Sequence, residues 1–121
     1  MPNPVTQFQI LSKAPAETAQ FYANLFGWTM TADNPLGCTQ IRTGSKEGIQ
    51  GGIWPAPPQA PNFVQLFVTV EDIRASVKQA EELGAKVLVP VTRLPEGDEM
   101  AVMLDPQGMS FALWATKRSV L

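Results

Sequence analysis

The chain runs through one order of elements twice, and that repetition leaves few folds open to it. Val5 to Ser12 alternates as a strand does, with Phe8 and Ile10 toward one side and Gln7 and Gln9 toward the other. Pro15 stands where a helix can begin, because the first turn does not use the N–H that proline lacks. Thr18, Phe21, Tyr22 and Leu25 follow at helical spacing, and Gly27 is placed to end the helix in a left-handed conformation. Three extended segments come next: Trp28 to Ala32, Cys38 to Thr43 and Ile49 to Trp54. The cluster Asp33-Asn34-Pro35 and the stretch Gly44 to Gly48 are the turns between them. Gly51-Gly52 inside the third segment predicts a bulge or a close approach of backbones.

Pro55 to Asn62 holds four prolines in eight residues and reads as a stiff, extended linker. The order then starts again. Phe63 to Val70 is a strand, Asp72 caps a helix carrying Ile73, Val77 and Ala80 on one face, and Gly84 ends it. Strands follow at Lys86 to Val91, Glu99 to Leu104 and Ser110 to Trp114, with turns at Pro95 to Asp98 and Asp105 to Gly108. The helix-ending glycines Gly27 and Gly84 are 57 residues apart, and Gln7 and Gln65 of the opening strands are 58 apart. Near-equal offsets mark an internal repeat. The fold class predicted is α+β. Two tandem βαβββ modules, about 4–54 and about 63–115, join through the linker 55–62 within one domain spanning residues 1–121. They would form a cup-shaped mixed sheet with helices on its outer face.

Composition narrows the function more by what is missing. Apolar residues make up 45% of the chain and charged residues 17%, enough apolar material for a real core. A net charge of −2 without strong clustering gives no basic face for phosphates, so nucleic acid is not an expected partner. No apolar run is long enough to span a bilayer. The opening residues lack the pattern of a secretory signal, and the single cysteine, Cys38, fits a cytoplasmic setting. The sequence contains no histidine. A Ser–His–Asp or Cys–His catalytic group cannot be built from this chain, nor can any imidazole metal ligand.

The segments Ala19 to Trp28, Val70-Glu71-Asp72-Ile73, Leu83-Gly84-Ala85, and Leu104 to Gly108 followed by Phe111-Ala112-Leu113 resemble the vicinal oxygen chelate superfamily. This is the glyoxalase, bleomycin-resistance and extradiol-dioxygenase group. The resemblance covers nearly the whole chain. It implies a cup that, in the family's enzymes, holds a divalent metal on side chains of the opening and closing strands. Carried onto this sequence, those positions fall on Gln7, Gln65 and Ala112, and near Gln50 to Ile53, where no carboxylate stands. Neutral amides alone bring no charge to a divalent cation. No metal and no other cofactor is therefore expected.

The candidate ligand-binding cup is Gln7, Gln9, Trp54, Gln65, Phe67, Met103 and Trp114: glutamines for hydrogen bonds and aromatic or soft side chains for stacking. Glu99 and Tyr22 are the first candidates for metal-free acid–base chemistry. Asp72 and Asp105 read as a cap and a turn residue, Arg42 and Arg93 as surface residues, and Cys38 as a small buried thiol. The resulting expectation is a metal-free binder of a small organic, possibly aromatic molecule, acting as a homodimer. Two alternatives stay open: a lyase, isomerase or dioxygenase of the same superfamily with atypical ligands, and a non-catalytic subunit module.

Overall fold

A computed structural model describes residues 2–32 and 38–117. The turn expected at Asp33-Asn34-Pro35 lies outside the described residues. Eight strands and two helices follow in order: β1 (Val5–Ser12), α1 (Pro15–Phe26), β2 (Thr29–Thr31), β3 (Thr39–Arg42), β4 (Gln50–Pro55), β5 (Phe63–Thr69), α2 (Ile73–Glu82), β6 (Lys86–Arg93), β7 (Glu99–Leu104) and β8 (Ser110–Ala115). The fold is α+β with mixed strand pairing. The chain groups into two compact units, one of residues Gln7–Gln65 and one holding the remainder.

The repeat in the sequence is a repeat in topology. In the first unit β1 pairs with β4 in parallel, and β4, β3 and β2 continue antiparallel. In the second, β5 pairs with β8 in parallel, and β8, β7 and β6 continue antiparallel. Each helix is the crossover that lets the opening strand run parallel to the closing one.

Local chemistry sets the element ends. Pro15 opens α1, whose preceding residue Ala14 makes no side-chain cap, and Gly27 closes it at φ 72° with its N–H on the Ala23 carbonyl. Asp72 caps α2 by accepting from the Ala75 N–H at 3.1 Å. The carboxylate of Asp105 accepts from the N–H groups of Gln107 and Met109, which fixes the β7–β8 turn. Gly51 shows the expected close approach: a Cβ there would lie 2.5 Å from the Phe8 carbonyl oxygen and 2.6 Å from its ring.

Two expectations need correction. The proline-rich segment is not a plain extended linker. Pro55 is the last residue of β4, opposite Ser12, and the Ala60 N–H closes a turn onto the Pro57 carbonyl at 3.0 Å. Proline suits a strand's end, where no ladder N–H is needed, and a turn, where its fixed φ helps. β6 also runs past Val91 to Arg93, through Pro90, with breaks in register on either side of Val89. Bulges and a proline are common devices on a strand that ends a sheet order.

The main core of the second unit lies between its sheet and α2. Val70, Ile73, Ala101, Met103, Leu113 and Ala115 are buried there, with Val77 and Ala80 of α2 packed against them. Residues 73, 77 and 80 are the helix face read from the sequence.

Candidate functional site

In the first unit, register decides which side chains share a face. Gln7, Gln9 and Leu11 stand opposite Gln50, Gly52 and Trp54 across the parallel β1–β4 pair, and Gln40 stands opposite Gly52 across β3–β4. Side chains alternate along a strand, so Gln7, Gln9, Gln40, Gln50 and Trp54 belong to one face, while Phe8, Ile10, Ile41 and Ile53 belong to the other. Trp54 lies over Gly52: its indole nitrogen is 3.5 Å from where a Gly52 Cβ would be.

Gln65 joins this face through a hydrogen bond. Its Nε2 donates to Oε1 of Gln9. Both residues are 3% exposed. Gln7 and Trp54 are half-buried. An amide offers both donors and an acceptor, so this face can meet carbonyl and hydroxyl groups without carrying charge. Gln40 and Gln50 are members of this face that the candidate cup did not include, and Gln40 was not singled out at all. The signal was available in principle, but only a known β3–β4 register assigns it to this face.

In the second unit the corresponding face is apolar. Phe67, Val102 and Ala112 are buried together, with Met100 and Trp114 packed against them. The Phe67 and Trp114 ring centres are 5.5 Å apart, inclined at 48°. The indole N–H of Trp114 donates to Oδ2 of Asp98 at 3.0 Å, and Oδ1 of the same carboxylate accepts from the Lys117 N–H. Asp98 therefore fixes the orientation of Trp114, a role that only the folded chain reveals.

Met103 stands apart from the other cup candidates. It is fully buried in the core against α2 with Ile73 and Leu113. Alternation along β7 puts Met100 and Val102 on the Phe67 face and Ala101 and Met103 on the helix face. Grouping Met103 with Phe67 and Trp114 is corrected accordingly.

Glu99 also stands on the helix side. Its Oε2 accepts from the Arg74 guanidinium of α2 at 2.8 Å, with the carboxylate side chain 7% exposed and the arginine 67%. That makes it a paired structural carboxylate. Tyr22 sits in an aromatic group on and after α1: its ring is 5.0 Å from Phe21, 6.2 Å from Phe26 and 6.0 Å from Trp28. Glu99 and Tyr22 belong to different units and share no local site within either. Arg42 and Arg93 are exposed and Cys38 is buried.

The family's metal positions can be tested on their donor chemistry. Gln7 and Gln65 offer neutral amides, one of them bonded to Gln9, and Ala112 offers no donor at all. Among the described residues no three of histidine, cysteine, aspartate or glutamate gather as a metal-holding group. Such a donor set does not fit a divalent ion held in the family's manner. No helix among the described residues is long and apolar enough to cross a membrane.

Comparison with known proteins agrees with this architecture. The family described as a glyoxalase-like domain matches residues 7–114. The anthracycline biosynthesis protein DnrV of Streptomyces peucetius is 29% identical over 130 residues, covering 93% of this chain and 47% of DnrV. The chain spans less than half the length of the curated relatives it matches. Among solved structures, a methylmalonyl-CoA epimerase variant of Streptomyces coelicolor superposes with a TM-score of 0.61 at 14% identity, covering 94% of each chain. A Legionella pneumophila structure described as an NAD-dependent benzaldehyde dehydrogenase gives a TM-score of 0.65 at 20% identity, covering 92% of this chain and 98% of that one. At such identities the likeness establishes the fold, and the different names borne by the two structures show how little of activity the fold carries.

Proposed function

Since the chain belongs to the glyoxalase-like domain family, within the vicinal oxygen chelate superfamily, we propose that it is a small-molecule-binding member working without the family's metal site. The observation that carries this reading is the buried amide of Gln65, at a position where the resemblance puts a metal ligand in the family's enzymes, hydrogen-bonded instead to the neighbouring amide of Gln9. The amide face of the first unit (Gln7, Gln9, Gln40, Gln65 and Trp54) supplies hydrogen bonds and one stacking surface. The Phe67 and Trp114 face of the second unit supplies apolar and aromatic contact. Within the first unit, a planar, partly oxygenated organic molecule matches the amides and the indole of Trp54. The names of the relatives suggest two classes to try: anthracyclines and CoA thioesters.

A homodimer in the cytoplasm completes the proposal. β2 and β6 end their strand orders, and sheet edges favour a covering partner. A lone cysteine suits a reducing compartment. A monomeric mass by light scattering would remove the dimer from the reading.

The binding test uses untagged, chelator-treated protein titrated with an anthracycline and, separately, with methylmalonyl-CoA, followed through tryptophan fluorescence. Saturable quenching by at least one of them, weakened in Gln65→Leu and Trp54→Phe, supports the proposal. Binding that appears only after a divalent metal is restored overturns it, and so does quenching indifferent to both substitutions.

A further inference from the structure

We infer that the cleft beside α1 is a second binding site, taking a planar aromatic carboxylate. The cleft has a volume of about 530 Å³, in the range of pockets that hold small organic ligands. Its walls are mixed, and their apolar part is Phe21 and Tyr22 from α1, Phe63 and Val64 from the start of β5, and Ile10 and Leu11 from β1. Phe21 and Val64 are 58% and 62% exposed, a large apolar area for side chains that face a concavity. Phe21 and Tyr22 meet edge to face at 5.0 Å, so the wall is a fixed aromatic corner.

Lys13 is the cation of the polar rim. The Ser12 hydroxyl accepts from the Ala14 N–H and lies 2.6 Å from that of Thr18, so both hydroxyls are already engaged. Lys13 is held at two points. Its backbone N–H donates to the Asn62 side chain at 2.8 Å, and its ammonium donates to the Pro58 carbonyl at 3.0 Å. An ammonium has three protons to donate, so one so placed can also meet an anion. The start of α1 adds a field of the same sign. Glu17 is the opposing charge on this rim, and it weakens the preference for an anion that Lys13 brings.

This cleft is separate from the amide face. None of Gln7, Gln9, Gln40, Gln65 and Trp54 lines it, although Leu11 and Phe63, which do, stand on the strand sides of Gln9 and Gln65. The site therefore fails or stands independently of the function proposed above.

The test is a titration of the uniformly 15N-labelled full chain with 2-naphthoate, read by backbone amide shifts, with neutral 2-naphthylmethanol as the second probe. Shifts centred on Lys13, Thr18, Phe21 and Val64 are expected. Lys13→Met should weaken naphthoate about tenfold, the weight of one charge-assisted hydrogen bond, and leave the alcohol unchanged. Glu17→Gln should tighten naphthoate. Shifts centred on Gln9, Gln65 and Trp54, equal affinity for the two probes, or no saturable shift at millimolar naphthoate would each overturn the inference.

Discussion

The Gln65 side chain donates its hydrogen bond to the Gln9 side chain, and water reaches neither to any extent. The bond gives a buried amide N–H and a buried amide oxygen a partner in place of water. Gln9→Leu or Gln65→Leu should each cost about 1–3 kcal/mol, because a buried side-chain hydrogen bond is lost. The double substitution should cost less than the sum of the two. Urea unfolding of the four proteins measures the coupling, and strict additivity would show that the pair does not act as a unit.

The Arg74–Glu99 pair predicts a stability effect and no effect on ligand binding. Arg74→Ala strands a carboxylate that is 7% exposed, while the arginine itself is 67% exposed and well screened. We expect a loss of about 1–2 kcal/mol, smaller than for a fully buried pair. Affinity in the fluorescence titration should stay within error of the parent. A large drop in affinity with unchanged stability would return Glu99 to the candidates for chemistry.

Asp98 fixes Trp114 and the Lys117 backbone with its two carboxylate oxygens. Asp98→Ala removes both acceptors and should cost about 1.5–3 kcal/mol, since hydrogen bonds to charged groups are the stronger kind. It should also weaken any ligand that stacks on Trp114. Asp98→Asn keeps one acceptor and should fall between Ala and parent. Equal stability of all three would contradict the assigned role.

The two glycine sites should respond differently to added bulk. At Gly51 a Cβ would meet the Phe8 carbonyl and ring within 2.6 Å, so Gly51→Ala forces β1 from β4 and should cost about 1–3 kcal/mol. At Gly27, φ is 72° and nothing lies within 4 Å of a Cβ, so only backbone strain opposes a side chain. Gly27→Val should cost about 1–2 kcal/mol. Thermal unfolding checks both, and an unchanged melting temperature for either refutes its placement.

Much of the fold was readable because it rests on local signals. The glycines at 27 and 84, the cap at Asp72 and the Asp105 turn each act within a few residues, and all are found where the sequence put them. Faces were harder. Met100 to Leu104 is almost unbroken apolar sequence, so no polar alternation told which of Met100, Val102 and Met103 faced α2. Gln40 escaped for a related reason, since its place beside Gln9 depends on register across two strand pairs. The Trp114–Asp98 and Arg74–Glu99 contacts join residues 16 and 25 positions apart, and only tertiary packing brings them together. The proline segment misled because composition predicted stiffness, while Pro55 and Pro57 serve a strand end and a turn.

The most direct test of a metal-free binder is metal content by mass spectrometry on protein made without a histidine tag, offered manganese, iron, nickel and zinc, and then desalted. The account predicts far less than one equivalent of any metal retained. One equivalent retained by the parent protein and lost in Gln65→Leu would contradict it, and would return the enzyme reading with the amide face as its ligand set.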